Sequence, residues 1–234
     1  MFTSPLFVIF IVFMLASWIV SSQLKSRFKK YSRTPVAGGV SGREIAEKML
    51  SDNGISNVKV ISVSGKLTDH YNPVNKTVNL SPEVYQGRNV AAAAVSAHEC
   101  GHAIQHANAY APLQLRSALV PLQNVSAKLM NFVFIMMFMG AFMLPNIISF
   151  DLALLIIIGC YSVFTLFAFI TLPVEINATQ RALAWLNTSG ITGGRSHQEA
   201  KDALKWAAYT YVVAALSALA TLAYYLMIFM ARRD

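Results

Sequence analysis

Charge is scarce in this chain. Only 13% of its 234 residues are Asp, Glu, Lys or Arg, where soluble domains carry about 25%, and this profile points away from an ordinary water-soluble globule and toward the membrane. Acidic side chains are scarcer than basic ones, 11 against 19, for a net charge of +8. Only two cysteines are present, Cys100 and Cys160, the first in a histidine-rich stretch and the second inside an apolar run. They provide no disulfide framework, and buried packing is the expected role of both. The basic excess does not read as a nucleic-acid footprint. Lys and Arg crowd beside the apolar runs while the aromatics lie within them. Membrane topology and attraction to anionic lipid explain that pattern, and no nucleic-acid partner is expected.

Apolar sequence fills the space that charge leaves. Hydrophobic residues make up 55% of the chain, and the mean hydropathy is +0.48. Residues 2–20 (FTSPLFVIFIVFMLASWIV) are uncharged and long enough to cross about 30 Å of hydrocarbon as a helix. Further spans are expected at about 120–144, 152–172 and 206–230, four in all. The first has no basic residue before it and Lys25, Arg27, Lys29, Lys30 and Arg33 after it. It reads as an uncleaved anchor with its C-terminal end in the cytoplasm. Alternation then puts 21–119 and 173–205 inside, and the 145–150 turn and the tail outside. Twelve of the 19 basic residues fall in the first inner segment and four in the second; only Arg232 and Arg233 disagree.

The first inner segment predicts a small α+β domain of order α-β-β-α. Ser41-Gly42-Arg43-Glu44 is a capping box opening a helix that ends near Asn53-Gly54. Asn57–Val63 and Lys76–Leu80 are strands, with Gly65–Pro73 between them as a loop or irregular edge. Ser81-Pro82-Glu83 starts a short helix stopped by Gly87, and Asn89 caps the next helix. In the second inner segment a helix over Val174–Leu186 follows Pro173, then a loop over Asn187–Gly194. Ser196–Glu199 reads as a second capping box leading into the last span.

The helix after Asn89 carries AAAAVSAHECGHAIQHA, residues 91–107. His98-Glu99-Cys100-Gly101-His102 has the H-E-x-x-H form. At about 100° and 1.5 Å per residue, His98 and His102 lie about 40° apart and one turn up. Both imidazoles can then meet one ion. Glu99 sits beside the pair, placed to take a proton from a water at the metal without filling a coordination position. Two neutral imidazoles and an open position suit Zn²⁺ hydrolysis; the ordinary alternative is histidines on a solvated helix face. His106 is about 12 Å from His98 along the axis, whereas ligands of one zinc place their nitrogens about 3–3.5 Å apart at bonds near 2.0–2.1 Å. It reads instead as a supporting or surface residue, and Cys100 faces away from the metal.

The third ligand must lie on the same side of the membrane, an even number of spans from His102. Glu175, Glu199 and Asp202 all satisfy this. Glu199 has the capping role just described. Glu175 is the expected ligand, because an unpaired carboxylate at the membrane edge is expensive and Zn²⁺ would offset its charge. An acid in a helix's first turn is also favoured by the dipole with no metal present. Among supporting residues, His70 and Tyr71 lie just before the second strand and could contact substrate or an oxyanion, or simply pack as loop residues. Asn177, Thr179 and Arg181 follow Glu175 on one helix and could orient it or a histidine, or face solvent.

The segment LTDHYNPVNKTVNLSPEVYQGRNVAAAAVSAHECGHAIQHANAYAPLQLRSALVP, with LPVEINATQRAL much later, resembles the YugP-type membrane zinc metallopeptidases. The resemblance covers nearly the whole chain. It implies a gluzincin-like site with His98 and His102 as ligands, Glu99 as catalytic base and Glu175 as third ligand. Members of that family often carry Asp where this chain has Asn177, which puts a role for an acid at that position in doubt.

Together these readings predict an α-helical integral membrane protein with a small α+β gluzincin-like catalytic domain. Its parts are an anchor over 1–22, a cytoplasmic-face catalytic domain over 23–118 and a transmembrane hairpin over 119–172. An inner segment over 173–205 carries the third ligand, and 206–234 form the last membrane helix. The expected activity is zinc-dependent peptide-bond hydrolysis, with one Zn²⁺ per chain and protein or peptide substrates, membrane proteins among them, at the bilayer surface. A zinc-stabilised scaffold without activity is the alternative. A transporter is disfavoured, since Lys128 and Asp151 are the only charges in or beside the spans and both lie near the ends. The sequence leaves the oligomeric state open.

Overall fold

A computed structural model describes residues 4–142 and 149–232. Four helices are long and apolar enough to cross a membrane. They are α1 (Pro5–Tyr31), α5 (Ala111–Phe142), α6 (Phe150–Thr188) and α7 (Gly194–Ala231). Between α1 and α5 lie α2 (Gly42–Asp52), β1 (Lys59–Ser62), β2 (His70–Asn72), β3 (Thr77–Leu80), α3 (Pro82–Tyr85) and α4 (Val90–Ala107). The architecture is therefore helical and membrane-type with one small sheet. Most of the expected 145–150 turn and the end of the expected second span, 143–144, lie outside the described residues, as does Arg233.

The chain divides into two compact units. One takes Met1–Trp18, Leu115–Leu172 and Tyr211–Asp234. Within it α5, α6 and α7 meet through Met130, Val133, Ala153, Ile157 and Cys160, with Tyr161, Phe164 and Tyr225 packed against them. Large apolar side chains stay exposed, among them Phe10, Trp18, Phe132 and Phe138. That is a costly surface in water and a favourable one against lipid tails.

The other unit takes Ile19–Gln114 and Pro173–Thr210. Its centre is α4, in which all but Val95, His98, His106 and Ala107 are buried. A helix apolar nearly all round belongs inside a core, and the run Ala91–Ala94 lets neighbours approach closely. Ile45, Ala46 and Met49 of α2, Val78 and Leu80 of β3, Ala182 and Leu186 of α6 and Ala200 and Leu204 of α7 share that core. The Ser41 capping box forms in full, Asn53 and Gly54 end α2 with Gly54 at a φ of 70°, and Asn89 caps α4 through Ala92 N–H.

Three expectations need correction. The stretch expected as a loop or irregular edge, Gly65–Pro73, contains a regular edge strand, β2, so the order is α-β-β-β-α-α. The sheet runs β1-β3-β2, with β1 parallel and β2 antiparallel to β3. Pro173 does not start a new helix: it lies inside α6, which runs unbroken through the third apolar stretch to Thr188. Proline is tolerated in such helices because neighbouring groups and small local adjustments re-satisfy the backbone it frees. The second capping box does not form either. Helix α7 begins at Gly194, so Ser196 sits in its first turn and its hydroxyl bonds the N–H and C=O of Gly193. Glu199 instead accepts from Arg195 Nε at 3.0 Å.

Candidate metal centre

His98, His102 and Glu175 offer three ligand atoms that lie within 4.8 Å of one another. Glu175 Oε2 is 3.2 Å from His98 Nε2 and 3.5 Å from His102 Nε2. The two rings stand 4.8 Å apart at 85°, as expected of a pair one helical turn apart. Glu175 is 2% exposed and sits well inside α6, so the helix dipole of a first turn does not account for it. The other two acids considered for this place are elsewhere: Asp202 accepts from the Tyr31 hydroxyl at 2.5 Å and pairs with Arg27, and Glu199 has Arg195.

The outer nitrogens of both rings are held. His102 Nδ1 is 3.0 Å from Gln105 Oε1. The Gln105 amide nitrogen donates to Val174 O at 2.7 Å and Asn177 Oδ1 at 3.1 Å, which assigns its oxygen as the acceptor from His102. The Nδ1 of His102 therefore carries the hydrogen, and in the neutral ring the Nε2 lone pair points toward Glu175. On His98, Thr179 Oγ1 lies 3.2 Å from Nδ1 and can fix the same tautomer. Asn177 also accepts from Arg181 Nε at 2.8 Å. So Asn177 and Arg181 support the site through Gln105, while Thr179 touches a histidine directly.

Glu99 is buried, and its Oε2 accepts from the Tyr71 main-chain N–H at 3.0 Å. Strand β2 thus runs beside the carboxylate, its outward N–H turned to Glu99. The Tyr71 side chain goes a different way, its hydroxyl 2.7 Å from His106 Nδ1. His106 is exposed and lies off the trio. His70 is exposed, with Nδ1 2.7 Å from Thr68 O, so the structure does not bring it to the metal cluster. Cys100 is fully buried on the opposite side, its thiol toward Ala46 O.

Two residues that shape the site were not singled out in the sequence. Gln105 lies seven residues past His98 and three past His102, on the same helix stripe, and that spacing is the signal that could have found it. Gly101 lets α4 touch α6: a Cβ there would be 2.7 Å from Ala178 O. Val174, Ala178, Ala182 and Leu186, spaced by four, form the matching buried seam on α6.

Burial opposes ionisation of Glu175, but His102 and His98, which donate Nε2–H to it when charged, outweigh that and hold the carboxyl well below the usual range. Burial likewise opposes charge on His102, and Glu175 and Glu99 beside it more than compensate, raising its pKa. The cluster is built around positive charge at its centre. Two imidazole nitrogens and a carboxylate oxygen converging on one point form the donor set that zinc takes, and the outer-nitrogen partners are those that orient such ligands.

Residues 6–230 match the family described as "Putative neutral zinc metallopeptidase". The chain belongs to this family. A Bacillus subtilis (strain 168) protein named "Putative membrane protease YugP" is 37% identical over 212 residues, covering 91% of each chain. No solved structure matches. Within this metallopeptidase family the H-E-x-x-H helix α4 and the α6 stretch around Glu175 both lie inside the matched region.

Proposed function

We propose that this chain is a membrane zinc metallopeptidase in which His98, His102 and Glu175 hold one zinc ion and Glu99 is the general base. The convergence of the two Nε2 atoms on Glu175, with Glu99 on the same helix, carries this reading. A zinc ion held there supplies Lewis acidity, polarising a scissile carbonyl and bringing the pKa of water to about 7.

The chain's own groups do the rest. The Tyr71 amide fixes one oxygen of Glu99, which leaves the other to take a proton from the attacking water. As the C–N bond breaks, Glu99 delivers that proton to the leaving amine nitrogen. Gln105 and Thr179 keep both imidazoles in the tautomer that presents Nε2. The apolar helices anchor the chain in the bilayer, and the basic residues flanking them support a site at the cytoplasmic face. Substrates are then proteins or peptides that reach the membrane surface.

The test measures zinc content and cleavage of casein and of a solubilised membrane protein by wild type, Glu99→Gln and Glu175→Ala. Glu99→Gln should keep zinc and lose cleavage; Glu175→Ala should lose both. Full zinc occupancy in Glu175→Ala refutes its role as ligand. Unchanged cleavage by Glu99→Gln refutes Glu99 as the general base, and a wild type that holds zinc but cleaves nothing would leave the zinc-stabilised scaffold.

A further inference from the structure

One turn beyond the metal cluster α4 forms part of a second pocket, of about 480 Å³. Ala103, His106 and Ala107 line it from α4, Tyr71 from β2 and Lys76 from the turn before β3, with residues 54–58 closing the far side. The small side chains at 103 and 107 leave the room. The pocket adjoins the proposed chemistry through Tyr71, whose main-chain N–H bonds Glu99 while its hydroxyl meets His106 at the pocket wall. From His102 to His106 is about 6 Å along the helix, the length of about two extended residues.

The lining sets Lys76, His106, Tyr71, Ser56 and Asn57 among small and aliphatic residues, with no acid in it. Among the described residues no salt bridge involves Lys76, and the nearby Lys59, whose main-chain N–H bonds Lys76 O, has none either. The acids closest in sequence to the lining are engaged elsewhere, Asp69 with the N–H and hydroxyl of Ser81, Glu83 with Lys66 and Asp52 with Lys48. An ammonium and an imidazole facing a cleft without a counter-charge favour an anionic group that enters from outside.

We propose that the pocket bounded by Tyr71, Lys76 and His106 binds a carboxylate of the peptide substrate, either an acidic side chain or the free C-terminus, within about three residues of the scissile bond. This rests on the peptidase reading and gives that site a substrate class. The Lys76 ammonium supplies the charge, and His106, its Nδ1 engaged by Tyr71, supplies its other ring nitrogen.

The experiment uses the zinc-loaded full chain in lipid nanodiscs and matched synthetic decapeptides. Each pair differs by Glu against Gln at one position, or by a free acid against an amide at the C-terminus, so the two carboxylate sources are separated. The carboxylate member of one kind of pair should be cleaved about tenfold faster in kcat/KM, and in Lys76→Glu the ratio should fall to one or invert. Lys76 is exposed, so that substitution leaves the core untouched. Binding of rhodamine-labelled peptides to the zinc-loaded Glu99→Gln chain reads the same preference without turnover. Equal cleavage or binding within every pair, or a preference that survives Lys76→Glu, overturns the proposal. Selective binding with no cleavage by wild type would instead overturn the peptidase reading and leave the pocket standing.

Discussion

Replacing Gly101 with alanine separates metal binding from folding. The added Cβ would sit 2.7 Å from Ala178 O and 3.1 Å from Ala178 Cα. Both are main-chain atoms, so no side-chain rotation relieves the contact. Restoring an ordinary separation of about 3.4 Å to the oxygen requires about 0.7 Å of movement between α4 and α6. Ala178 is about one turn past Glu175, so the movement reaches the proposed third ligand directly. Zinc sites tolerate roughly 0.2 Å in ligand distance. Overpacking of this kind costs about 1–3 kcal/mol, and alanine's better helix propensity offsets about 1 kcal/mol of it. The expected result is a net loss of stability of about 0–2 kcal/mol with zinc affinity down about 10- to 100-fold. Competition with a zinc-binding dye gives the affinity, and thermal unfolding of the same preparation gives the stability. A folded Gly101→Ala chain that binds zinc within twofold of wild type would refute the claim that close approach at this glycine positions Glu175.

Two further substitutions or treatments probe the surroundings. Gln105→Leu removes the acceptor for His102 and the side-chain donor to Val174 O, while Asn177 Oδ1 keeps Arg181; stability should fall by about 1–3 kcal/mol and zinc affinity about 10- to 100-fold, read by unfolding and dye competition. Cys100 is fully buried, and burial pushes its thiol far up, so maleimide should modify it only after denaturation; stoichiometric labelling of the native chain, seen by mass spectrometry, would contradict the packing described.

What could be read in the sequence was local. The Ser41 box, the Asn89 cap and the His98–His102 pair each depend on residues no more than four apart, and each appears where the spacing puts it. What could not be read depends on distant partners. Strand β2 is three residues long and exists because β3 pairs with it; nothing in His70-Tyr71-Asn72 alone separates it from a loop. Gln105 looks like any polar residue in a helix until Val174, sixty-nine positions later, supplies the carbonyl that justifies burying it. Pro173 looks like a helix boundary in sequence, but it lies within α6, where neighbouring groups rather than solvent satisfy the backbone it frees. Ser196 was read one frame late, since the helix it belongs to starts at Gly194.

The choice of third ligand shows how compensation distinguishes acids that topology leaves equivalent. Glu175, Glu199 and Asp202 all return to the same unit as α4. A carboxylate withdrawn from water is costly unless something offsets its charge. Arg195 does so for Glu199 through Oε1, and Arg27 with the Tyr31 hydroxyl does so for Asp202. Glu175 is the most buried of the three, and the Nε2 atoms of His98 and His102 converge on its Oε2 at 3.2 and 3.5 Å. Glu175 is thus the one of the three acids that two imidazole nitrogens meet, and together these donors are the set that zinc takes.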